Sequence, residues 1–98
     1  MEIVKNKEEA ALTLTLSGRL DTTTAPQLEK AISESIEAVT DLQLDFTDLE
    51  YVSSAGLRVL LSAQKQMNKQ GKMVIRNVKE DIMEVFEITG FSEILTIE

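Results

Sequence analysis

Apolar positions recur along this chain with two alternating periods. Ile3-Val4 and the run Ala11-Leu12-Thr13-Leu14-Thr15-Leu16 flank a polar stretch from Lys5 to Glu9. In the second run Leu12, Leu14 and Leu16 share one face and Thr13 and Thr15 the other. Period two with β-branched partners predicts a strand, and the two segments together predict an N-terminal antiparallel hairpin ended by Gly18. Then the period lengthens. Leu28, Ile32, Ile36 and Val39 recur at helical spacing, with Glu29, Lys30, Glu34 and Glu37 on the other faces. Asp21-Thr22-Thr23-Thr24 supplies N-cap side chains and Pro26 suits a first turn, so a helix is expected over Ala25–Val39.

Leu42, Leu44 and Phe46 alternate with Gln43 and Asp45, a second strand, followed by a polar turn. Leu57, Leu60, Leu61, Gln64 and Met67 trace a second helix, closed by Asn68 to Gly71. Met73-Val74-Ile75 predicts a short buried strand. Ile82, Val85, Phe86 and Ile88 predict a third helix ending at Gly90, and Ile94, Leu95 and Ile97 a last short strand. Strands alternating with single helices imply right-handed crossovers and parallel pairing. The expected fold is therefore α/β: one small domain spanning 1–98, with a mixed, mostly parallel sheet of four to five strands, the N-terminal hairpin and three main helices.

Composition narrows function mostly by exclusion. A chain of 98 residues buries roughly 60–70% of its unfolded surface without covalent staples. There is no cysteine, hence no disulfide framework and no thiol or Cys-ligated metal chemistry. No apolar run approaches the ~20 residues of a membrane span, and the N-terminus lacks a signal peptide's apolar core, so a cytoplasmic location is expected. A net charge of −7 disfavours nucleic acid and anionic membrane surfaces as partners. With no histidine either, the commonest general base is missing alongside the best nucleophile. No Gly-rich phosphate loop occurs, and no cofactor is implied. Binding of other proteins is the expected activity. A small enzyme built from carboxylates is the alternative from another class.

In open α/β sheets function gathers where a strand's C-terminal end feeds a helix, here Asp45 to Leu57. Ser53 and Ser54 are both N-cap candidates, and Ala55-Gly56 keep the first turn small enough for a partner's backbone to approach. Ser54 reads either as a helix cap, contributing ~1 kcal/mol, or as a phosphorylation site at a helix N-terminus. Asp21 reads either as the first helix's cap or as a contact to a kinase or its nucleotide. Asp45 and Asp48 lack the further ligands a metal needs and read as turn or cap residues. Arg58, Ser62, Lys65 and Lys69 form one stripe on the second helix, the ordinary pattern of a solvated face beside the alternative of a partner surface. Met67, Met73 and Met83 read as core filler.

The segment Asp45-Phe46-Thr47-Asp48-Leu49-Glu50-Tyr51-Val52-Ser53-Ser54-Ala55-Gly56-Leu57 resembles the signature of the STAS family, the bacterial anti-sigma factor antagonists. Gly18-Arg19-Leu20-Asp21 is similar to that family's Gly-x-Leu-Asp motif, and Phe86-Glu87-Ile88-Thr89-Gly90-Phe91 to its end-of-helix segment. The resemblance implies a partner-switching regulator. The unphosphorylated antagonist binds an anti-sigma factor that is itself an ATP-dependent serine kinase, and phosphorylation releases it. A PP2C-type phosphatase resets the cycle. The family's phosphoserine stands two residues before the motif glycine, which maps onto Ser54. The family often carries Asp just before it, where this chain has Ser53, so Ser53 is the second candidate hydroxyl. Partner contacts are expected from Asp21, Thr22, Ser53, Ser54, Ala55, Gly56 and Arg58. A STAS scaffold that binds constitutively, with Ser54 only a cap, is the alternative.

Overall fold

The computed structural model describes all residues from Met1 to Glu98. Strand β1 (Glu2–Glu8) turns into β2 (Ala11–Leu20), and helix α1 (Ala25–Ser35) crosses over to β3 (Asp41–Val52). Helix α2 (Ser54–Gln70) crosses to β4 (Lys72–Arg76), and α3 (Glu80–Thr89) runs into a 3-10 turn, Phe91–Glu93. The sheet order is β1-β2-β3-β4, with β1 antiparallel to β2 and the other pairs parallel. Each crossover steps one strand in the same direction. Right-handed connections of that kind deliver both helices to one face of the sheet.

Register shows which face. Leu12 pairs with Leu42 and Leu42 with Met73, while Leu14, Leu44 and Ile75 form the next row. All six are at most 1% exposed. Leu28 and Ile32 of α1, Leu60 and Met67 of α2, and Ile82 and Phe86 of α3 join them in one 24-residue cluster. The Phe46 and Phe86 rings stand 6.4 Å apart within it. On the opposite face Thr13, Thr15, Gln43 and Asp45 are only half-buried, so no helix packs there. The hairpin, β4, the parallel pairing and all three helices agree with the pattern in the sequence. Most of the polar stretch between the two hairpin segments is itself strand, however: Lys5–Glu8 pair with Leu14–Ala11 on the exposed sheet edge, leaving only Glu9 and Ala10 to turn. No helix is long and apolar enough to cross a membrane.

Four expectations need correction. Gly18 does not end β2; it lies inside the strand at φ +92°, a conformation natural to glycine, next to a slip in register against β3. The polar turn after Phe46 does not exist. β3 continues to Val52, carrying one extra residue against Thr15–Ser17 and another against Gly18–Arg19. These bulges replace strict alternation by burial at Phe46, Leu49 and Val52, which is why the segment read as a turn. Helix α1 stops at Ser35, four residues short. Ala38 takes φ +64°, and Gln70 Nε2 donates to the carbonyls of Ile36 and Val39, holding that turn on the end of α2. Ile36 and Val39 stay buried, so the helical period outlasts the helix. Finally, Ile88 is 79% exposed, and the last strand shrinks to a single parallel bridge between Ile75 and Ile97.

Asp45 braces the first bulge. Its Oδ1 accepts from the Thr47 hydroxyl at 2.6 Å, the Thr47 N–H at 2.9 Å and Asn77 Nδ2 at 3.1 Å. The Thr47 hydroxyl, before the other two, holds this carboxyl below its ordinary value of 3.8. A carboxyl depressed in the fold stabilises it above the unfolded pKa and loses that contribution as pH falls through the folded one. Asp45→Asn is therefore expected to be less stable than wild type at pH 7, with the gap closing below about pH 4. Urea unfolding of both proteins at pH 7 and pH 3 measures it; an equal gap at both values would exclude this role.

Candidate functional site

Parallel pairing sets the C-terminal ends of β2 and β3 side by side, and both expected site segments leave from there. Leu20 pairs with Val52, and the Ser53 N–H donates to the Leu20 carbonyl at 2.8 Å. The chain then turns into α2, whose first turn lies hard against the end of β2. A Cβ on Gly56 would stand 2.7 Å from Leu20 Cγ and 3.2 Å from the Leu20 carbonyl oxygen. Gly56 is buried, so its missing side chain serves the packing of α2 on β2 rather than the close approach of a partner's backbone expected of it, and it sets the first turn of α2 beside the Asp21 loop.

The two serines have different surroundings. Ser53 is the N-cap, with extended backbone and its hydroxyl accepting from the Gly56 N–H at 3.3 Å. Ser54 is the first residue of the helix, exposed, and its hydroxyl makes no hydrogen bond within the protein. The cap expected of Ser54 is thus supplied by Ser53. Ala55 and Arg58 line a shallow cavity between α1 and α2, together with Thr22, Ala25, Pro26, Glu29 and Val59. Thr22, Ala55 and Arg58, three of the residues expected to meet a partner, therefore border one depression.

Asp21 is spent on its own loop. Its Oδ1 accepts from the N–H groups of Thr23 and Thr24, and Thr24 Oγ1 reaches both Asp21 and the Arg19 carbonyl. The Thr24 N–H is the largest influence holding the carboxyl below its ordinary value. The helix N-cap itself is Thr24, without a side-chain cap bond, so Asp21 ties down the loop one turn earlier.

The family model of the STAS domain matches residues 2–98. This chain belongs to the STAS family. Among relatives, BtrV of Bordetella bronchiseptica, named "Putative anti-sigma factor antagonist", is 35% identical over 99% of this chain and 85% of its own. The anti-sigma-B factor antagonist of Bacillus subtilis is 29% identical over 93% of this chain and 84% of its own. The solved structure of the anti-sigma factor antagonist SpoIIAA in its unphosphorylated form has the same fold, with a TM-score of 0.85 at 21% identity, covering 99% of this chain and 88% of that one. SpoIIAA from Bacillus is also solved in its phosphorylated form, with a TM-score of 0.77 over 99% of this chain and 91% of that one.

Two side chains at this STAS strand end escaped the sequence reading. Arg19 stacks over the Tyr51 ring, 4.1 Å from its centroid, and approaches Asp21 Oδ2 at 3.7 Å. Both aromatic and guanidinium groups lie beside the Asp21 loop on the surface. Their pairing follows from the second bulge in β3, which brings Tyr51 rather than Glu50 opposite Arg19. No local motif announces that register.

Proposed function

We propose that this STAS protein is an anti-sigma factor antagonist controlled by phosphorylation of Ser54. The unmodified chain binds an anti-sigma factor that is a serine kinase, through the surface formed by the Asp21 loop, the Ser53–Gly56 turn and Arg58. The kinase moves the γ-phosphoryl group of ATP onto Ser54 Oγ; ADP leaves, and the hydroxyl proton passes to a base on the kinase. The modified chain lets go, and a PP2C-type phosphatase restores the hydroxyl. In this cycle the chain is the modified regulator rather than a catalyst, and it works in the cytoplasm beside the transcription machinery. The names of its relatives support the antagonist role. One observation carries the choice of residue: Ser54 offers an exposed hydroxyl with no structural duty, whereas its neighbour's hydroxyl holds the helix.

The test is to capture the kinase from the source organism on the wild-type chain and incubate it with ATP and three proteins. Mapping by mass spectrometry is expected to place phosphate on Ser54 in wild type and in Ser53→Ala, and nowhere in Ser54→Ala. Ser53→Ala loses ~0.5–1 kcal/mol of stability with its cap, while Ser54→Ala melts like wild type. Phosphate on Ser53, or incorporation into Ser54→Ala, would refute the assignment.

A further inference from the structure

Helix α2 departs from the charge of the whole molecule. The chain carries 17 acidic residues, yet α2 has none, and it is the only one of the three main helices without one. It holds instead Arg58, Lys65 and Lys69, all exposed. None of the three is in an ion pair; the protein's salt bridges use Arg19, Lys30 and Arg76. The spacings from Ser54 to Arg58, Ser62, Lys65 and Lys69 are those of a single helical stripe. It runs ~22 Å along the helix at 1.5 Å per residue, starting at the proposed phosphorylation site. Beside its far half lies a shallow depression lined by Ser62, Lys65, Gln66, Lys69 and Gln70, polar throughout.

Unpaired cations at this density on an acidic protein make a local positive field within a negative one, and such fields select oppositely charged surfaces. We infer that the Arg58–Lys65–Lys69 stripe of α2 docks an acidic surface of the kinase that modifies Ser54. This rests on the proposed function and names the chemistry of the partner's face. It also supplies the sign of the switch. A phosphate brings about −1.5 to −2 charges to the head of the stripe, one turn from Arg58. Against an acidic partner that charge both cancels the nearest cation and repels what the stripe attracts. Nucleic acid is a poor occupant, because three cations on one helix of a chain with net charge −7 fall short of the clustered Lys and Arg that a phosphate backbone demands.

The experiment uses the full chain and the kinase captured by wild type, purified, in stopped-flow association at ~50 and ~300 mM salt. The variant is Lys65→Glu/Lys69→Glu, whose changes lie three to four helical turns from Ser54 and are exposed, so the fold tolerates them. Association is expected to slow ~10–100-fold at low salt, with the wild-type loss of rate on adding salt abolished or reversed. Lys65→Gln/Lys69→Gln is expected between the two, and dissociation rates change less. Wild-type rates and salt dependence in the reversed-charge variant, with Ser54→Asp still losing the kinase, would overturn the docking inference and leave the switch standing. If Ser54→Asp keeps the kinase as well, the switch itself fails. Unchanged kinase association together with lost self-association or lost duplex RNA binding would give the stripe a different occupant and overturn the inference too.

Discussion

Ser54→Asp is expected to weaken binding of the captured kinase by ~100–1,000-fold while leaving the melting temperature within a few degrees of wild type. The two halves of this expectation come from the same place in the fold. At the first residue of α2 a carboxylate meets the positive end of the helix dipole and free N–H groups, worth ~0.3–1 kcal/mol in favour of the folded state. The side chain it replaces is exposed and makes no hydrogen bond, so nothing structural is lost. In the proposed complex the same charge would be enclosed against the partner. An unpaired charge at a desolvated interface costs several kcal/mol, and each 1.4 kcal/mol is a factor of ten in affinity. Isothermal titration of both proteins with the kinase, beside their melting curves, measures the two halves. Equal affinities would mean a constitutive scaffold. Lost affinity together with a collapsed melting temperature would mean that Ser54 matters to the fold after all.

Gly71→Ala carries the largest expected loss of stability, at ~3 kcal/mol or more, with melting lowered by ~15 °C. Gly71 closes α2, its N–H bonded to the Met67 carbonyl at 2.6 Å, and lies directly against the backbone of Thr40. A Cβ there would overlap the Thr40 carbonyl oxygen and stand 2.7 Å from the Thr40 Cα. Relief would require Thr40 to move, yet its peptide is held on both sides. Its N–H donates to the Ala10 carbonyl at 2.9 Å, and its carbonyl accepts from Lys72 at 3.0 Å. Thr40 thus links the starts of β2, β3 and β4, and displacing it disturbs three strands. Gly90→Ala is the comparison. Its φ of +82° costs an alanine ~1 kcal/mol, but no atom lies within 4 Å of the new Cβ. Denaturant unfolding of the two variants separates collision from backbone strain; similar losses would contradict the Thr40 argument.

What could be read from the chain was what depends on near neighbours. The hairpin shows through in the clean alternation of Leu12, Leu14 and Leu16 in β2, α2 in its helical stripe of apolar residues, and β4 in the apolar run Met73-Val74-Ile75. The Ser53–Gly56 turn shows through because a small, hydroxyl-rich helix start is a local signal. Where distant residues decide, the pattern misleads. The second half of β3 is a strand only because β2 lies beside it and absorbs two bulges. The end of α1 is set by Gln70, 34 and 31 residues away from the carbonyls it holds. Which serine caps α2 is a question of one hydroxyl's position, and two adjacent serines look alike in sequence. The Arg19–Tyr51 stack has no local signature at all.

The arrangement of the strands also sets how the chain comes together in time. Only β1 and β2 can zip up locally. Ala11 meets Asp41, and Asp41 meets Lys72, each pair separated by about 30 residues of chain, so loop closure costs ~3 kcal/mol apiece before any pairing rewards it. Helices form in microseconds or less, but they cannot dock until the parallel strands give them a surface. This places folding in the millisecond-to-second range of mixed and β-rich topologies, and makes Thr40, where the closures converge, the knot tied late. During that interval the leucine rows of β2 and β3 are open to neighbours. A newly made chain is most exposed to aggregation and proteolysis in that interval, before its first partner is ever met.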